Sequence, residues 1–545
     1  MKKHIILSAA FVFIAFVLNA QTKAVHLNSL GFLPQLKKTA VISQECSTFK
    51  IIHTSTGAEV FSGKTEGPKY QKDVNQNVWH ADFSACTTPG EYVLEVPGVG
   101  KSVKFKIADD VFNFAAKTSM RAFYLWRCGT AVDANFEGNH YHQDACHLAD
   151  GFEDYTGEKG SLRDGTGGWH DAGDYGKYVV NAGVTLGVLF MAWDHFQPQL
   201  EKLNLELPET APGFPDFLKE LKWETDWVLK MQYPDGSGKV SHKLTRTNFS
   251  PFIMPDKDNE KRYFTDWSSA ATADFVAIMA MAARYFKPYD AAYAQKCLGA
   301  AWVSYRFLQK NPGHKRFEQG GFKTGGYQTN DADDRLWAAA EMWETTGDKS
   351  CLEDFEKRAT DIDFKIGENW DWQNVSNIGM FTYALSKQKG KNPGIEKSIK
   401  NNIIANADAL VEKAGADVYA RPLGGRYYWG CNGTVARQTV NLQVANKIQP
   451  EKEYIETALS AVDHIFGNNF YNRSYVTGLG INPPMHPHDR RSGADNIKAP
   501  WPGYLVGGGH TATDWVDKQE SYSHNEIAIN WQAALVYALM GFADF

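Results

Sequence analysis

Seven cysteines in 545 residues are too few and too scattered for a disulfide framework. They are Cys46, Cys86, Cys128, Cys146, Cys297, Cys351 and Cys431, an odd number, so at least one is free, metal-bound or paired between chains. Positive charge is not in excess: 57 Lys and Arg face 63 Asp and Glu, a net charge of -6, and no basic surface for nucleic acid is implied. No phosphate or dinucleotide motif occurs, because the glycine pairs lack the strand-to-helix setting and the Lys-Ser/Thr ending. The apolar run from Ile5 to Leu18 is short for a membrane span. With Lys2 and Lys3 before it and Leu18-Asn19-Ala20 after it, residues 1–20 read as a signal peptide cut after Ala20. No cysteine sits at the cut, so no lipid or membrane anchor is expected. The mature chain is expected to be exported, to periplasm, cell surface or medium, where disulfides are allowed.

Aromatic residues, by contrast, are plentiful. They make up 13% of the chain, with 16 Trp and 24 Tyr, enough to line a groove with rings. Hydrophobic residues at 43% and charged residues at 22% are ordinary for a folded soluble protein, and the length accommodates one large domain and a small one.

Residues 21–108 read as strands. Val103, Phe105 and Ile107 alternate with Lys104 and Lys106 at the period of a half-buried strand, and Phe49–Ile52 and Ala58–Phe61 flank a hairpin turn at 54–57. Thr88-Pro89-Gly90 turns into a further strand, giving a β-sandwich of immunoglobulin size that Cys46 and Cys86 could bridge. From residue 109 to 545 helical patterns take over. Phe217, Leu221, Val228 and Met231 keep one apolar face, Ser268 and Ser269 can cap a helix over 270–286, and Gly347 ends one after Arg335–Thr346. Further helices are expected near 291–309, 351–365, 400–413, 434–446, 453–466 and 524–541. Long loops rich in Gly, Trp and Tyr join them, and loops of that length in a compact domain usually carry function.

The stretch Gly167-Gly168-Trp169-His170-Asp171-Ala172-Gly173-Asp174-Tyr175 places two carboxylates three residues apart among glycines and rings. It reads either as a pair that holds and activates one water or as an Asp-rich turn or cap. Cys128, Cys146, His147 and His170 match the ligand set of a structural zinc site that would clamp the backbone just before Asp171. A Cys128–Cys146 disulfide with two ordinary histidines is the other reading. Trp429 stands in an aromatic loop, Arg426-Tyr427-Tyr428-Trp429, that suits a sugar platform or buried packing, and a proline-rich loop presents His488 and Arg490 as hydroxyl donors. Glu526 falls at the start of the last expected helix, where it is either a cap or an acid with a raised pKa.

With these pieces in place the chain resembles the family 9 glycoside hydrolases, in the subgroup with an immunoglobulin-like domain before an all-α (α/α)6 barrel. Asp171-Ala172-Gly173-Asp174, Gly480–Arg490 and Asp517 through Tyr522 to Asn525-Glu526 carry the resemblance, which covers nearly all of the mature chain. It implies Asp174 as general base, Asp171 as a holder of the water, Glu526 as general acid, and His488 and Arg490 as binders of substrate hydroxyls, with Trp429 and Trp531 completing the substrate-binding set. It tips Cys128, Cys146, His147 and His170 toward zinc, makes calcium common with Asp333 and Asp334 as the nearest match, and calls for no organic cofactor. The sequence departs from the family at Asp489, where a histidine is frequent, at Gln532 in place of asparagine and at Trp531 in place of tyrosine, which bears on the sugar subsites. The expected function is inverting, endo-acting hydrolysis of β-1,4-glucan or cello-oligosaccharide by a monomer, with the two carboxyls about 6.5–9.5 Å apart. The alternatives are an exo-acting cellodextrinase or cellobiohydrolase, a glucosaminidase on the same scaffold, or a non-catalytic glycan-binding protein.

Overall fold

The computed structural model describes residues 21–153 and 160–545; the expected signal peptide lies outside the described residues. Nine strands come first: β1 (Val25–His26), β2 (Thr39–Ile42), β3 (Thr48–His53), β4 (Glu59–Lys64), β5 (Glu66–Gln71), β6 (Gln76–Asp82), β7 (Gly90–Val96), β8 (Gly100–Lys101) and β9 (Phe105–Ile107). They form two sheets, ordered β1-β2-β6-β5 and β4-β3-β7-β8, with β9 also paired to β7. Alternation decides which residues face inward. Phe49, Ile51 and Leu94 of one sheet meet Ala40, Ile42 and Ala81 of the other, and Phe32, Phe83 and Phe105 fill the centre with ring contacts of 5.0–5.5 Å. Cys46 and Cys86 are free thiols, so the bridge considered from sequence is not formed.

The rest of the chain is helical apart from the hairpin β10 (Val132–Phe136) and β11 (Asn139–Gln143) and a small sheet of β12 (Lys177–Tyr178), β13 (Lys243–Thr245) and β14 (Tyr263–Phe264). The helices are α1 (Asn113–Leu125), α2 (Val179–Leu200), α3 (Asp216–Met231), α4 (Ser269–Phe286), α5 (Ala291–Lys310), α6 (Ala332–Thr346), α7 (Lys349–Asp361), α8 (Ser376–Leu385), α9 (Pro393–Ala416), α10 (Cys431–Ile448), α11 (Lys452–Ile465), the single turn α12 (Tyr522–Asn525) and α13 (Ile529–Met540). Helices α2, α4, α6, α8, α10 and α13 pack in that order into a closed ring, and α1, α3, α5, α7, α9 and α11 surround it. This is an (α/α)6 barrel.

Composition sorts the two layers. Every residue of α13 is buried and so are residues 179–193 of α2, because an inner helix meets protein on all sides. The same apolarity makes α2 long and apolar enough to cross a membrane, yet 83% of its apolar window is buried inside the barrel. Outer helix α5 buries Tyr293, Cys297, Ala301, Ser304, Tyr305 and Leu308, a stripe at helical spacing. Each inner helix is reached by a long connection, over 126–178, 232–268, 311–331, 362–375, 417–430 and 466–528. These loops gather at one mouth of the barrel.

The sandwich is tied to the last of those loops. The Ser29 hydroxyl donates to the Phe466 carbonyl at 2.6 Å and accepts the Ile481 N–H at 2.8 Å, while Asn28 donates to Asp463 at 2.8 Å.

Candidate active site

Three loops meet at the barrel mouth. The 171–176 turn is closed by the Asp171 N–H bonding the Gly176 carbonyl at 3.0 Å. Gly173 lies so close to the loop over 486–491 that a Cβ on it would sit 1.9 Å from the His488 carbonyl oxygen. Arg490 closes the contact from the other side, donating through Nη1 to the Gly173 carbonyl at 2.6 Å and through Nε to the Ser250 carbonyl at 2.8 Å. The third loop carries Glu526. It does not start a helix: Glu526 to Ala528 are extended between α12 and α13, with His488 bridged to Glu526 and Ala172 to Ala528. The long helix expected over 524–541 is therefore broken, because these backbone groups find partners on neighbouring loops, among them the Gly507 N–H on the Glu526 carbonyl at 2.9 Å. Glu526 is therefore not the cap at the start of the last helix: Ala528 is the N-cap of α13, and Glu526 closes the single turn α12 through its N–H on the Tyr522 carbonyl.

The carboxyls have distinct surroundings. Asp171 is buried with both oxygens engaged, Oδ1 by Asn181 Nδ2 at 2.7 Å and Oδ2 by the Tyr327 hydroxyl at 2.7 Å. Burial, with the Asp174 charge adding to it, pushes Asp171 up to about 8. Asp174 accepts the Gly176 N–H at 2.9 Å and the Tyr178 hydroxyl at 3.2 Å, both on Oδ2, which leaves Oδ1 without a protein partner among the described residues. Glu526 is half-buried; withdrawal from water, then the charges of Asp174 and Asp171, raise its pKa well above the usual carboxyl range against an opposing pull from Arg490. That direction favours the protonated carboxyl, the form able to donate a proton.

The expected sugar-binding residues divide. His488 faces the Gln519 carbonyl through Nδ1 at 2.7 Å, and burial lowers its pKa. Its Nδ1 therefore carries the proton and Nε2 is an acceptor, not the donor anticipated from sequence. Arg490 is buried and spends two nitrogens on carbonyls, so it joins loops as much as it offers donors. Trp429 is 44% exposed and meets the edge of Tyr522, itself 54% exposed, at 5.5 Å; Tyr522 in turn lies 6.0 Å from the His488 ring. These two rings form an open aromatic face beside the acids. Trp531 corrects the expectation of a sugar platform. It is 7% exposed and packed under Gly430, Gly433 and Gly507, each of which would bring a Cβ within 3.1 Å of the indole. Asp489 and Gln532 are internal ties: Asp489 bonds Arg491 at 3.1 Å, and Gln532 accepts the Leu505 N–H at 3.0 Å.

Tyr327 and Asn181 are site residues that no motif in the sequence marks. Their signals are a tyrosine after Gly325-Gly326 and a lone asparagine in the apolar start of α2. Asp517 proves to be a loop organiser, accepting the Met485 and His486 N–H groups at 2.8 and 2.9 Å and the Asn525 amide at 3.1 Å.

Behind the 171–176 turn, Cys128, Cys146, His147 and His170 bring one donor atom each to within 4.8 Å of one another. Cys128 Sγ is 3.6 Å from His147 Nδ1, and Cys146 Sγ is 3.8 Å from His170 Nε2. A tetrahedral zinc with Zn–S of about 2.3 Å and Zn–N of about 2.0–2.1 Å places sulfur and nitrogen about 3.6 Å apart, so the donor set fits the ion. No disulfide joins the two thiols. Burial alone would push Cys128 up, but the Cys146 hydrogen bond and the Lys177 charge hold it well below the usual thiol range, and burial lowers His170 to about 4, which leaves its imidazole neutral. Asp258 backs the far nitrogen of His147 at 3.5 Å. The quartet also pins the turn: Cys128 N–H bonds the Gly168 carbonyl at 2.8 Å and His170 N–H bonds the Trp126 carbonyl at 2.9 Å. Of Asp333 and Asp334, the nearest match for calcium, Asp333 accepts the Val375 N–H at 2.8 Å, whereas the buried Asp334 carboxyl faces that of Asp274 with no hydrogen-bond partner on its oxygens among the described residues.

A barrel of this architecture, with a carboxyl of raised pKa, an adjoining pair of aspartates and an open aromatic face at its mouth, defines a glycoside hydrolase. The chain belongs to glycosyl hydrolase family 9, whose profile matches residues 112–539, and the cellulase N-terminal ig-like domain profile matches residues 20–101. It is 57% identical over 523 residues to Endoglucanase D of Acetivibrio thermocellus, an alignment covering 96% of this chain and 83% of that protein. The crystal structure of a metagenome-derived glycoside hydrolase family 9 endoglucanase superposes with a TM-score of 0.88 at 33% identity, covering 96% of this chain and 99% of that one. The structure described as a Zn-binding triple mutant of the family 9 endoglucanase J30 does so with a TM-score of 0.87 at 32% identity, over 94% and 99% of the two chains.

Proposed function

We propose that the protein is an exported, inverting endo-β-1,4-glucanase acting on cellulose-type glucans. The observation that carries this reading is the contrast among its three carboxyls. The Glu526 carboxyl has no hydrogen-bond partner among the described residues and its pKa is raised, Asp171 has both oxygens engaged, and Asp174 keeps one oxygen open. Glu526 gives its proton to the glycosidic oxygen of the leaving chain. Asp174 Oδ1 takes a proton from the water that attacks the anomeric carbon, and Asp171 fixes that water from a position set by Asn181 and Tyr327. Attack opposite the leaving group inverts the anomeric configuration. His488 Nε2 accepts from a sugar hydroxyl, and the Trp429 and Tyr522 rings offer apolar faces to neighbouring sugars. Bound at Cys128, Cys146, His147 and His170, zinc supplies charge and rigidity; the residues themselves fix the start of the 171–176 turn. We assign residues 1–20 to a signal peptide, 21–108 to the sandwich and 109–545 to the catalytic barrel.

Product analysis over time on cellohexaose and carboxymethyl cellulose, with anomers followed by NMR, tests the proposal. Mixed-length early products bearing the α-anomer are expected. A single short product from the first time point favours an exo-acting enzyme, and a β-anomer overturns inversion.

A further inference from the structure

One buried cation close to the site has no part in the reaction just described. Lys243 lies on β13, paired in register with Tyr178 of β12, and its side chain is closed off from water. Its donors go to three neutral acceptors: the Gly325 carbonyl at 2.7 Å, Thr324 Oγ1 at 3.1 Å and Gln319 Oε1 at 3.3 Å. The other side of the same glycine faces Tyr178, whose phenol oxygen accepts the Gly325 N–H at 3.1 Å. An oxygen that already accepts from an N–H turns its own proton elsewhere, and the acceptor in reach is Asp174 Oδ2 at 3.2 Å. The path from the ammonium to the carboxylate is continuous: Lys243, Gly325, Tyr178, Asp174.

We propose that Tyr178 and Lys243 are positioning residues for the general base: Tyr178 fixes Asp174 Oδ2 so that Oδ1 meets the water, and Lys243 fixes Tyr178 by anchoring the Gly325 peptide. The inference rests on the assignment of Asp174 as base. At position 325 a Cβ would stand 3.2 Å from the Tyr178 ring and 3.2 Å from the Tyr327 ring, so a larger residue there would push on both phenols by a few tenths of an ångström. The Tyr178 and Tyr327 rings touch at 4.9 Å, so the two phenols that engage Asp174 and Asp171 brace each other. The groups whose charge bears on Asp174 are Asp171 on its own turn, Tyr178 on β12, Lys243 on β13, Glu526 before α13 and His488 on the 486–491 loop. Burial lowers Lys243 to about 7 against the pull of Asp174, so its charge is present on the acid side of neutrality.

The test is the pH profile of kcat and KM on cellohexaose for Tyr178→Phe, Lys243→Met and Asp174→Asn. Tyr178→Phe keeps the ring and removes one bond to a charged group, so kcat is expected to fall about 10- to 100-fold while KM stays within about two-fold of wild type. The acidic limb of its kcat profile moves to higher pH, because the charged base has lost a donor. Lys243→Met gives the same signature with a smaller fall. Gly325→Ala, which tilts the phenol without deleting it, is read the same way if Tyr178→Phe does not fold. Wild-type kcat and an unmoved acidic limb in Tyr178→Phe, or a raised KM at unchanged kcat, overturn the proposal. If Asp174→Asn is dead while Tyr178→Phe is unaffected, this inference alone fails; if Asp174→Asn retains activity, the base assignment fails with it.

Discussion

Gly173 and His488 are in backbone contact: any Cβ on Gly173 would lie 1.9 Å from the His488 carbonyl oxygen. That contact locks the turn bearing both aspartates to the 486–491 loop. Backbone cannot yield as a flexible side chain does, so Gly173→Ala forces the loops apart. The expected outcome is a loss of catalytic efficiency by roughly 100-fold or more, on the order of the cost of misplacing reacting groups by about 1 Å, with the helical circular dichroism of the barrel retained. Steady-state kinetics beside a melting curve check it.

The raised pKa of Glu526 has a consequence for stability whose sign is fixed. Its folded-state pKa lies above its unfolded value, so the folded protein binds the proton more tightly. Stability is then full at pH values below the unfolded carboxyl pKa and is lost as pH rises from there toward the folded one. Glu526→Gln removes this penalty, and its melting temperature should gain on wild type progressively as pH rises above the ordinary glutamate pKa of about 4.3. Thermal denaturation across that rise measures it; a constant difference would mean that the pKa is not raised.

Purified protein should contain about one zinc per chain by elemental analysis, and Cys128→Ala should lose it. Because His170 precedes Asp171, loss of the ion is expected to lower kcat more than it raises KM and to lower the melting temperature. A metal-free protein with a mapped Cys128–Cys146 bridge would exclude the ion.

The N-terminal segment is tied to the barrel at α11 and at the loop that follows it. Asn28 donates to Asp463, a carboxyl that burial raises to about 7. Asn28→Ala leaves that group without its donor, a loss of about 1–3 kcal/mol, and is expected to lower both the melting temperature and activity. Chemical denaturation of the variant gives the figure.

Much of this is written locally. Phe105 and Ile107 of the expected alternation are the buried residues of β9, which begins after Val103, Ser268 caps α4 through the Ala271 N–H at 3.1 Å, and Gly347 ends α6 with φ 70°. Local rules fail where distant partners decide. Glu526 sits on an extended link because the Gly507 N–H takes its carbonyl and the His488 N–H takes that of Asn525 beside it, and no window of sequence around it contains those donors. Trp531 is buried by glycines at 430, 433 and 507, a cavity assembled from two separate loops. Lys243 and Tyr327 join the site through the small β12–β13–β14 sheet and the 324–327 segment, neither of which carries a motif. Helix α9 differs for a local reason: it starts at Pro393, capped by Asn392, ahead of the expected 400–413, because a proline suits the first helical turn, where no N–H partner is needed.

The roles of the two carboxyls separate when leaving-group chemistry is varied. We would measure kcat for Glu526→Gln and Asp174→Asn on carboxymethyl cellulose and on a dinitrophenyl cellobioside, whose leaving group departs without protonation. Glu526→Gln should be nearly inactive on the polymer and recover much of the wild-type rate on the activated glycoside, while Asp174→Asn should be inactive on both. Equal loss on both substrates for Glu526→Gln, or substantial turnover of the polymer by either variant, would contradict the assignment of acid and base.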